Sequence, residues 1–280
     1  MSQNTDHVEY WNGEAAQRWV EHRGHFDLAI EIFGSRALQR LALQKGERVV
    51  DVGCGAGTTV IALSAAATDA GHVLGLDCSK PLMDLAKERV AHLKNVELVV
   101  ADAATYELKP GAYDAIFSRF GMMFFDDPAQ AMHSLGKGLR SGGRMSFVCW
   151  QTMEDNDWVS LPLKTILPLV ENPPSPYRPN EPGPCAFADK DFLHGELEKA
   201  GFLNIHIQNV RAPVTLGDTG VDDAVDFSMR IGPCARIGVN QSPEVIAKMR
   251  KALADMYESI IEGHGVTLPG AAWMVSAHKA

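Results

Sequence analysis

From residue 47 onward, apolar and polar positions fall into a repeated two-part pattern. The short apolar run ERVVDV is followed by a longer helical stretch, TTVIALSAAA, and the pair then recurs. HVLGLD leads into SKPLMDLAKERVAHL, VELVVAD comes next, and AYDAIFS leads into DPAQAMHSLGKGL and then RMSFVCW. Apolar runs of roughly four to eight residues bounded by turn residues predict buried strands, and apolar positions every three or four residues predict helices. Ser79 before Pro81, and Asp126 or Asp127 before Pro128, supply the N-terminal caps such helices need. Strands separated by helices predict a parallel sheet covered on both faces, because each right-handed crossover carries a helix across the sheet. The expected fold class is α/β, doubly wound.

The flanks read differently. Two helices are expected first. In Tyr10–His22 the residues Trp11, Ala15 and Trp19 share a face; in Leu28–Leu43 Ile30, Phe33, Ala37 and Leu41 do, and Gly46 closes that helix. Residues 151–188 have little periodicity and contain the tract NPPSPYRPNEPGP, whose prolines cannot sit in central strands. A connection of that length is either a plain surface crossing or a lid. DKDFLHGELEKAG predicts a helix closed by Gly201, FLNIHIQNV a strand, and AAWMVSAHK a last strand. The expected layout is a helical cap over 1–45, an α/β core over 46–150 that binds a ligand, and a proline-rich lid over 151–188. The sheet is completed by 189–210 and 271–280, and 211–270 forms a helical insertion contributing to a substrate pocket.

Composition narrows the classes. The 280 residues carry a formal net charge of -9, which argues against a protein that coats nucleic acid. The first residues, MSQNTDHVEYWNGE, lack the basic-then-apolar order of a secretory signal, and no apolar run reaches the roughly 18 residues of a membrane span. Cys54, Cys78, Cys149, Cys185 and Cys234 are scattered, with no spacing for a zinc site or a disulfide framework. They predict reduced thiols in a cytoplasmic protein with no structural metal. A homodimer is compatible with the sequence.

The turn after the first strand, Gly53-Cys54-Gly55-Ala56-Gly57, is almost bare of side chains. Main chain can approach a ligand there, and the helix that follows offers free N–H groups to an anion. Thr58 stands where the dinucleotide fingerprint G-x-G-x-x-G/A wants its third small residue, and no Lys-Ser/Thr pair follows as a phosphate loop requires. The order D-x-G-x-G-x-G, with Asp51 leading, resembles the first motif of class I S-adenosylmethionine-dependent methyltransferases. Asp77 ending the second strand, Asp102 ending the third, Tyr113-Asp114 opening the fourth and LRSGGRMSF extend that resemblance over roughly 47–150, with Ser141 where the family commonly has proline. SRFGMMFFDDP, VCWQ and NDW are similar to the ubiquinone/menaquinone type within it.

The resemblance implies a seven-stranded, mostly parallel, Rossmann-like sheet with an antiparallel last strand, and S-adenosyl-L-methionine as cofactor. The helix start after Gly57 suits the cofactor's carboxylate, and Asp51 lies near its ammonium. Asp77 suits the ribose hydroxyls, and Asp102 and Ala103 the adenine. Cys54 and Cys78 flank the cofactor and pack rather than react. Ser118 and Arg119 are implied at the methionyl end, with Phe120, Met122, Met123 and Phe124 as an apolar wall. Tyr10, Trp11 and Trp19 are candidates to fold over the sulfonium, which an aromatic face stabilises; packing on the sheet is the competing role for all these apolar residues.

The expected function is methyl transfer to a small, apolar or aromatic acceptor, on carbon or oxygen. Trp11, Trp19, Trp158, Phe187 and Met229 are expected around it and no cluster of Lys and Arg. His22, His25, Arg119, His133, His194 and His206 are the candidates for a base, none picked out by a motif. An NAD-dependent oxidoreductase and a non-catalytic S-adenosylmethionine-binding module are the alternatives.

Overall fold

The computed structural model describes residues 5–261 and 263–280; residues 1–4 of the expected cap and residue 262 of the 211–270 stretch lie outside the described residues. In chain order come α1 (Thr5–Tyr10), α2 (Glu14–Leu41), β1 (Arg48–Val52), α3 (Thr58–Ala67), β2 (His72–Asp77), α4 (Lys80–Val90), β3 (Val96–Val100) and β4 (Tyr113–Arg119). After them come α5 (Pro128–Gly138), β5 (Leu139–Trp150), α6 (Asp157–Ile166), α7 (Lys190–Lys199) and β6 (Phe202–Gly217). The chain closes with α8 (Val221–Arg230), α9 (Gly232–Gly238), α10 (Pro243–Glu258) and β7 (Val266–Lys279). The strands form one sheet in the order β3-β2-β1-β4-β5-β7-β6. β1 to β5 pair in parallel, and β7 runs antiparallel to both β5 and β6. This is the doubly wound α/β sheet with an antiparallel last strand.

Helices α2, α3 and α4 contact one another and cover one face, while α5 and α7 pack together on the other. Caps fix where they begin. Ser79 accepts from the Leu82 N–H, Asp127 rather than Asp126 accepts from Gln130, and Asp189 accepts from Asp191 and Phe192. Val49, Val50, Val73, Leu76, Ile116 and Phe147 fill the sheet's centre and are fully buried.

Four elements differ from the sequence reading. The two N-terminal helices are one from Glu14 to Leu41. Gly24 costs that helix about 1 kcal/mol, whereas Phe26, Ile30, Phe33, Ala37 and Leu41 make a single buried stripe worth roughly 1.5–3 kcal/mol for each large side chain. Its C-cap is Ala42, at φ 49°, not Gly46, which lies in the loop before β1 and donates to the Ala67 carbonyl. The 151–188 stretch contains α6, whose pattern is interrupted by an internal Pro162. Finally, β6 continues to Gly217 and β7 starts at Val266, both longer than their apolar cores suggested. Pro213 and Pro269 face each other across that hairpin. Opposed prolines are tolerated at a non-hydrogen-bonded pair, where neither N–H is asked to cross the ladder.

Candidate active site

The strand order reverses between β1 and β4, and in open α/β sheets a ligand crevice forms there, beyond the strands' carboxyl ends. A cavity of about 620 Å³ occupies that place, well sized for small molecules. Its floor is the glycine turn. Gly53 and Cys54 N–H groups donate to the Leu76 carbonyl at 2.8 and 3.1 Å, tying the turn to β2. Gly53 has φ 69°, and a Cβ there would sit 2.8 Å from the Gly121 Cα, so the loops after β1 and β4 meet main chain to main chain. Gly55 has φ 53° with nothing within 4 Å of where a Cβ would be, so its backbone lies open.

Two carboxylates stand at this end. Asp77 accepts from Gly55 N–H on Oδ2 and from Ser79 N–H on Oδ1, each at 2.8 Å. Burial raises its pKa while those two donors oppose the shift. One bond per oxygen leaves each oxygen with acceptor capacity. Asp51, next to the end of β1, is fully buried; its Oδ2 accepts from Thr59 Oγ1 at 2.5 Å, and its Oδ1 is sealed from solvent with no partner. Burial pushes its pKa from 3.8 to about 7, against the lowering effects of Thr59 and Arg119. Asp102, with Oδ1 on the Ala104 N–H, and Ala103 close the floor.

A polar chain joins this floor to the cap. Arg119 at the end of β4 pairs with Asp27 of α2. The Thr58 hydroxyl donates to Asp27 Oδ2 at 2.6 Å and accepts from Arg89 at 2.9 Å. Farther along, the Asn12 side chain donates to the Cys78 carbonyl at 2.9 Å and accepts from Lys80 N–H at 3.0 Å. The turn between α1 and α2 is thereby fastened over the loop that carries Asp77.

The opposite wall is aromatic. Trp11 packs edge-on against Trp19 and Phe124, and Trp19 against Phe26. Phe120 stacks on Trp150 at 4.1 Å, and Trp150 touches Trp158. Phe120 holds a left-handed φ of 60°, a strained conformation for an aromatic residue and typical of functional sites. Asn156 fixes Trp158. Its Oδ1 accepts from the Trp158 indole at 3.0 Å and from Ala271 N–H at 2.9 Å, and its Nδ2 donates to the Thr152 and Ala271 carbonyls. All four hydrogen-bonding positions of the amide are used.

Of the residues singled out in the sequence, Trp19, Gly53, Cys54, Gly55, Asp77, Cys78, Asp102 and Ala103 lie on the cavity wall. Asp51, Gly57 and Ser118 stand behind it. Gly57 caps α3 against Ala86, and the Ser118 hydroxyl donates to the Val52 carbonyl while accepting from Gly121 N–H. Phe120, Met123 and Phe124 face the cavity, but Met122 is core. Phe187 packs on Phe147 in the core, and Met229 does not line the cavity. None of His22, His25, His133, His194 and His206 lines it; His25 meets Asp223 at 3.6 Å and His133 meets the Ala200 carbonyl. Arg23, Asp27, Trp150, Asn156, Tyr177 and Arg236 line the cavity without having been picked out as site residues. Of the tracts quoted for the resemblance, VCWQ contains Trp150 and NDW contains Asn156. Burial pushes the Cys78 thiol up to about 12 and Cys185 to about 11, which makes both poor nucleophiles. Among the described residues, no three His, Cys, Asp or Glu side chains converge to hold a metal ion, and no helix is long and apolar enough to cross a membrane.

Sheet order, bare glycine turn and strand-end acids are like those of class I S-adenosylmethionine-dependent methyltransferases, and residues 49–143 match the family model described as "Methyltransferase domain". Within that class, the chain is 27% identical over 188 residues to the demethylmenaquinone methyltransferase of Staphylococcus aureus strain JH9, a match covering 64% of this chain and 77% of that one. In fold it is similar to a candidate methyltransferase of Bacillus halodurans, with a TM-score of 0.57, 18% identity and coverage of 88% and 97% of the two chains. It is also similar in fold to geranyl diphosphate C-methyltransferase of Streptomyces coelicolor, with a TM-score of 0.51, 14% identity and coverage of 89% and 76%. The residues present fit S-adenosylmethionine as a cofactor. The Gly55 main chain is open to the cavity, Asp77 has acceptor capacity for a diol, and Asp51, just behind the turn, has a buried oxygen without a partner.

Proposed function

We propose that this methyltransferase acts on a flat, apolar or aromatic small molecule, methylating carbon or oxygen. The observation that carries this reading is the single cavity, which runs from the glycine turn directly onto the wall of Trp150, Trp158, Phe120 and Phe124. The aromatic character of a quinone-type acceptor, as in the name of the staphylococcal relative, suits such a wall.

S-adenosylmethionine supplies an electrophilic methyl group on a sulfonium. Gly53, Cys54 and Gly55 would hold its amino-acid end with main chain, Asp51 would face its ammonium, Asp77 its ribose, and Asp102 and Ala103 its adenine. Trp19 and Trp11 would cover it. Because charge is dispersed as the methyl moves, the chain contributes chiefly alignment and exclusion of water. No histidine lines the cavity among the described residues, so an imidazole is not placed to take an acceptor proton. That favours a carbon nucleophile or an oxygen already ionised when bound. We assign the cap over 1–45, the 151–188 stretch and the 211–270 insertion to the acceptor's enclosure, and the activity to the cytoplasm, which suits five free cysteines.

The test is calorimetric titration with S-adenosylhomocysteine, followed by a screen of naphthol, quinol and phenol acceptors for mass gain with trideuteromethyl cofactor. Binding of the product followed by labelling of a flat apolar acceptor supports the reading. Labelling confined to highly charged, non-aromatic acceptors would overturn it.

A further inference from the structure

The cations on the cavity wall are unevenly placed. Arg23 and Arg119 stand beside Asp27 at the cofactor end. Arg236, on α9, is the lone cation of the acceptor end among the described residues. Its guanidinium lies over the Tyr177 ring at 4.3 Å, and Nη2 donates to the Ser175 carbonyl. Its Nε is sealed from water with no acceptor against it, and no carboxylate of the described residues comes within ion-pair distance. The acids on the wall are Asp27, Asp77, Asp102 and Asp126, carried by α2, by the end of β2 and by the loops after β3 and β4.

A guanidinium beside an apolar cavity is costly to hold unpaired. Stacking on Tyr177 offsets part of that cost, and one backbone carbonyl occupies one of its five donors. Ring and carbonyl also fix the plane of the fork before any ligand arrives, and a fixed fork is the arrangement that recognises a carboxylate. The indoles of Trp150 and Trp158 offer flat apolar surface in the same chamber.

We propose that Arg236 anchors a carboxylate on the acceptor, so that the substrate is a flat, otherwise apolar acid whose ring lies against Trp150 and Trp158. This rests on the reading above that the chamber beyond the glycine turn holds the acceptor. Arg236 is a specificity residue: it selects and orients the acid and takes no part in the transfer itself.

The test uses the full chain saturated with S-adenosylhomocysteine and titrated with 2-naphthoate and its neutral isostere 2-naphthamide. Wild-type protein is expected to bind the acid at least about tenfold tighter than the amide, the minimum for a charge-assisted pair. Arg236→Gln should bring the ratio to about 1 with affinity for S-adenosylhomocysteine unchanged, and Arg236→Lys should keep part of the preference. Equal or tighter binding of the amide by wild type, a ratio that survives in Arg236→Gln, or binding of neither compound overturns the proposal. Should Arg236→Gln not fold, the wild-type ratio decides without it, and Arg236→Met repeats the test with a similar stem. Titrating S-adenosylhomocysteine first keeps the two readings apart. Absence of product binding undoes the proposed function, whereas product binding without a carboxylate preference undoes this inference alone.

Discussion

Between Val52 and Ala103 the cavity is walled by the ends of β1, β2 and β3 and the segments after them, which present the bare glycine turn, a few apolar side chains such as Leu76 and Leu82, and carboxylates held by main-chain N–H groups. Across from it, the wall is assembled from side chains of α2, β5, α6, the proline tract and α9, segments separated by up to two hundred residues. The first wall is a local structure: once β1 and β2 pair, Gly53 and Cys54 are bonded to Leu76 and the turn is set. The second exists only after the whole chain has packed. A change at the glycine turn or Asp77 should therefore strike cofactor binding first, and a change around Trp150, Trp158 or Arg236 should strike stability and acceptor selection while the cofactor still binds.

The largest effects are expected in the first wall. Gly55→Val places a branched side chain at φ 53°, over the open main chain, and Asp77→Ala removes the acceptor of two N–H bonds. Each should lower affinity for S-adenosylhomocysteine at least about a hundredfold, since hydrogen bonds to charged groups are worth about 1.5–3 kcal/mol apiece. Calorimetry on protein with an unchanged melting profile measures this, and unaltered affinity would break the division between the walls. Asn156→Ala comes next. It should cost about 2–4 kcal/mol of stability, because the Trp158 indole and both polar groups of Ala271 lose their partner. Denaturant titration reads that loss, and product affinity within about twofold of wild type would sharpen the comparison.

A pH dependence follows from Asp51. Its folded-state pKa of about 7 lies above the ordinary 3.8, so the folded protein holds this proton more tightly than the unfolded chain does. The associated stability is complete below about pH 3.8 and is lost as pH rises through about 7, by up to about 4 kcal/mol. Asp51→Asn should reduce that slope in the melting temperature of the ligand-free protein between pH 5 and about 8, leaving the part due to histidines such as His22 and His72, whose pKa values burial lowers. A variant whose melting profile keeps the wild-type slope would place the titration elsewhere. The smallest effect belongs to Cys78→Ser. With the thiol pushed to about 12, native protein should react with thiol reagents at pH 8 far more slowly than unfolded protein, and the substitution should shift stability by less than about 1 kcal/mol.

The same contrast explains what was legible in the sequence. The strand–turn–helix units, the caps at Ser79 and Asp127 and the crevice floor are local consequences of residue type: glycine where main chain must be bare, an acid where a strand ends. Arg236 and Asn156 carry no such mark. One becomes a cavity residue because Tyr177, nearly sixty residues earlier, is brought beneath it, and the other because β7 returns to it from residue 271. The long hairpin extends past the apolar runs FLNIHIQNV and AAWMVSAHK through Pro213 and Pro269, whose pairing depends on the partner strand rather than on either residue alone. α6 carries Pro162 within it, which breaks the helical pattern of its sequence.

That hairpin has a further consequence. The excursion holding α8, α9 and α10 departs from Gly217 and rejoins at Val266, and those two residues are themselves partners in the ladder. Everything between them is thus an exchangeable cassette with both ends moored at one spot on the sheet, remote from the Gly53 turn. Divergent enzymes, or a protein engineer, could replace it wholesale and inherit the same donor machinery with a new choice of recipient.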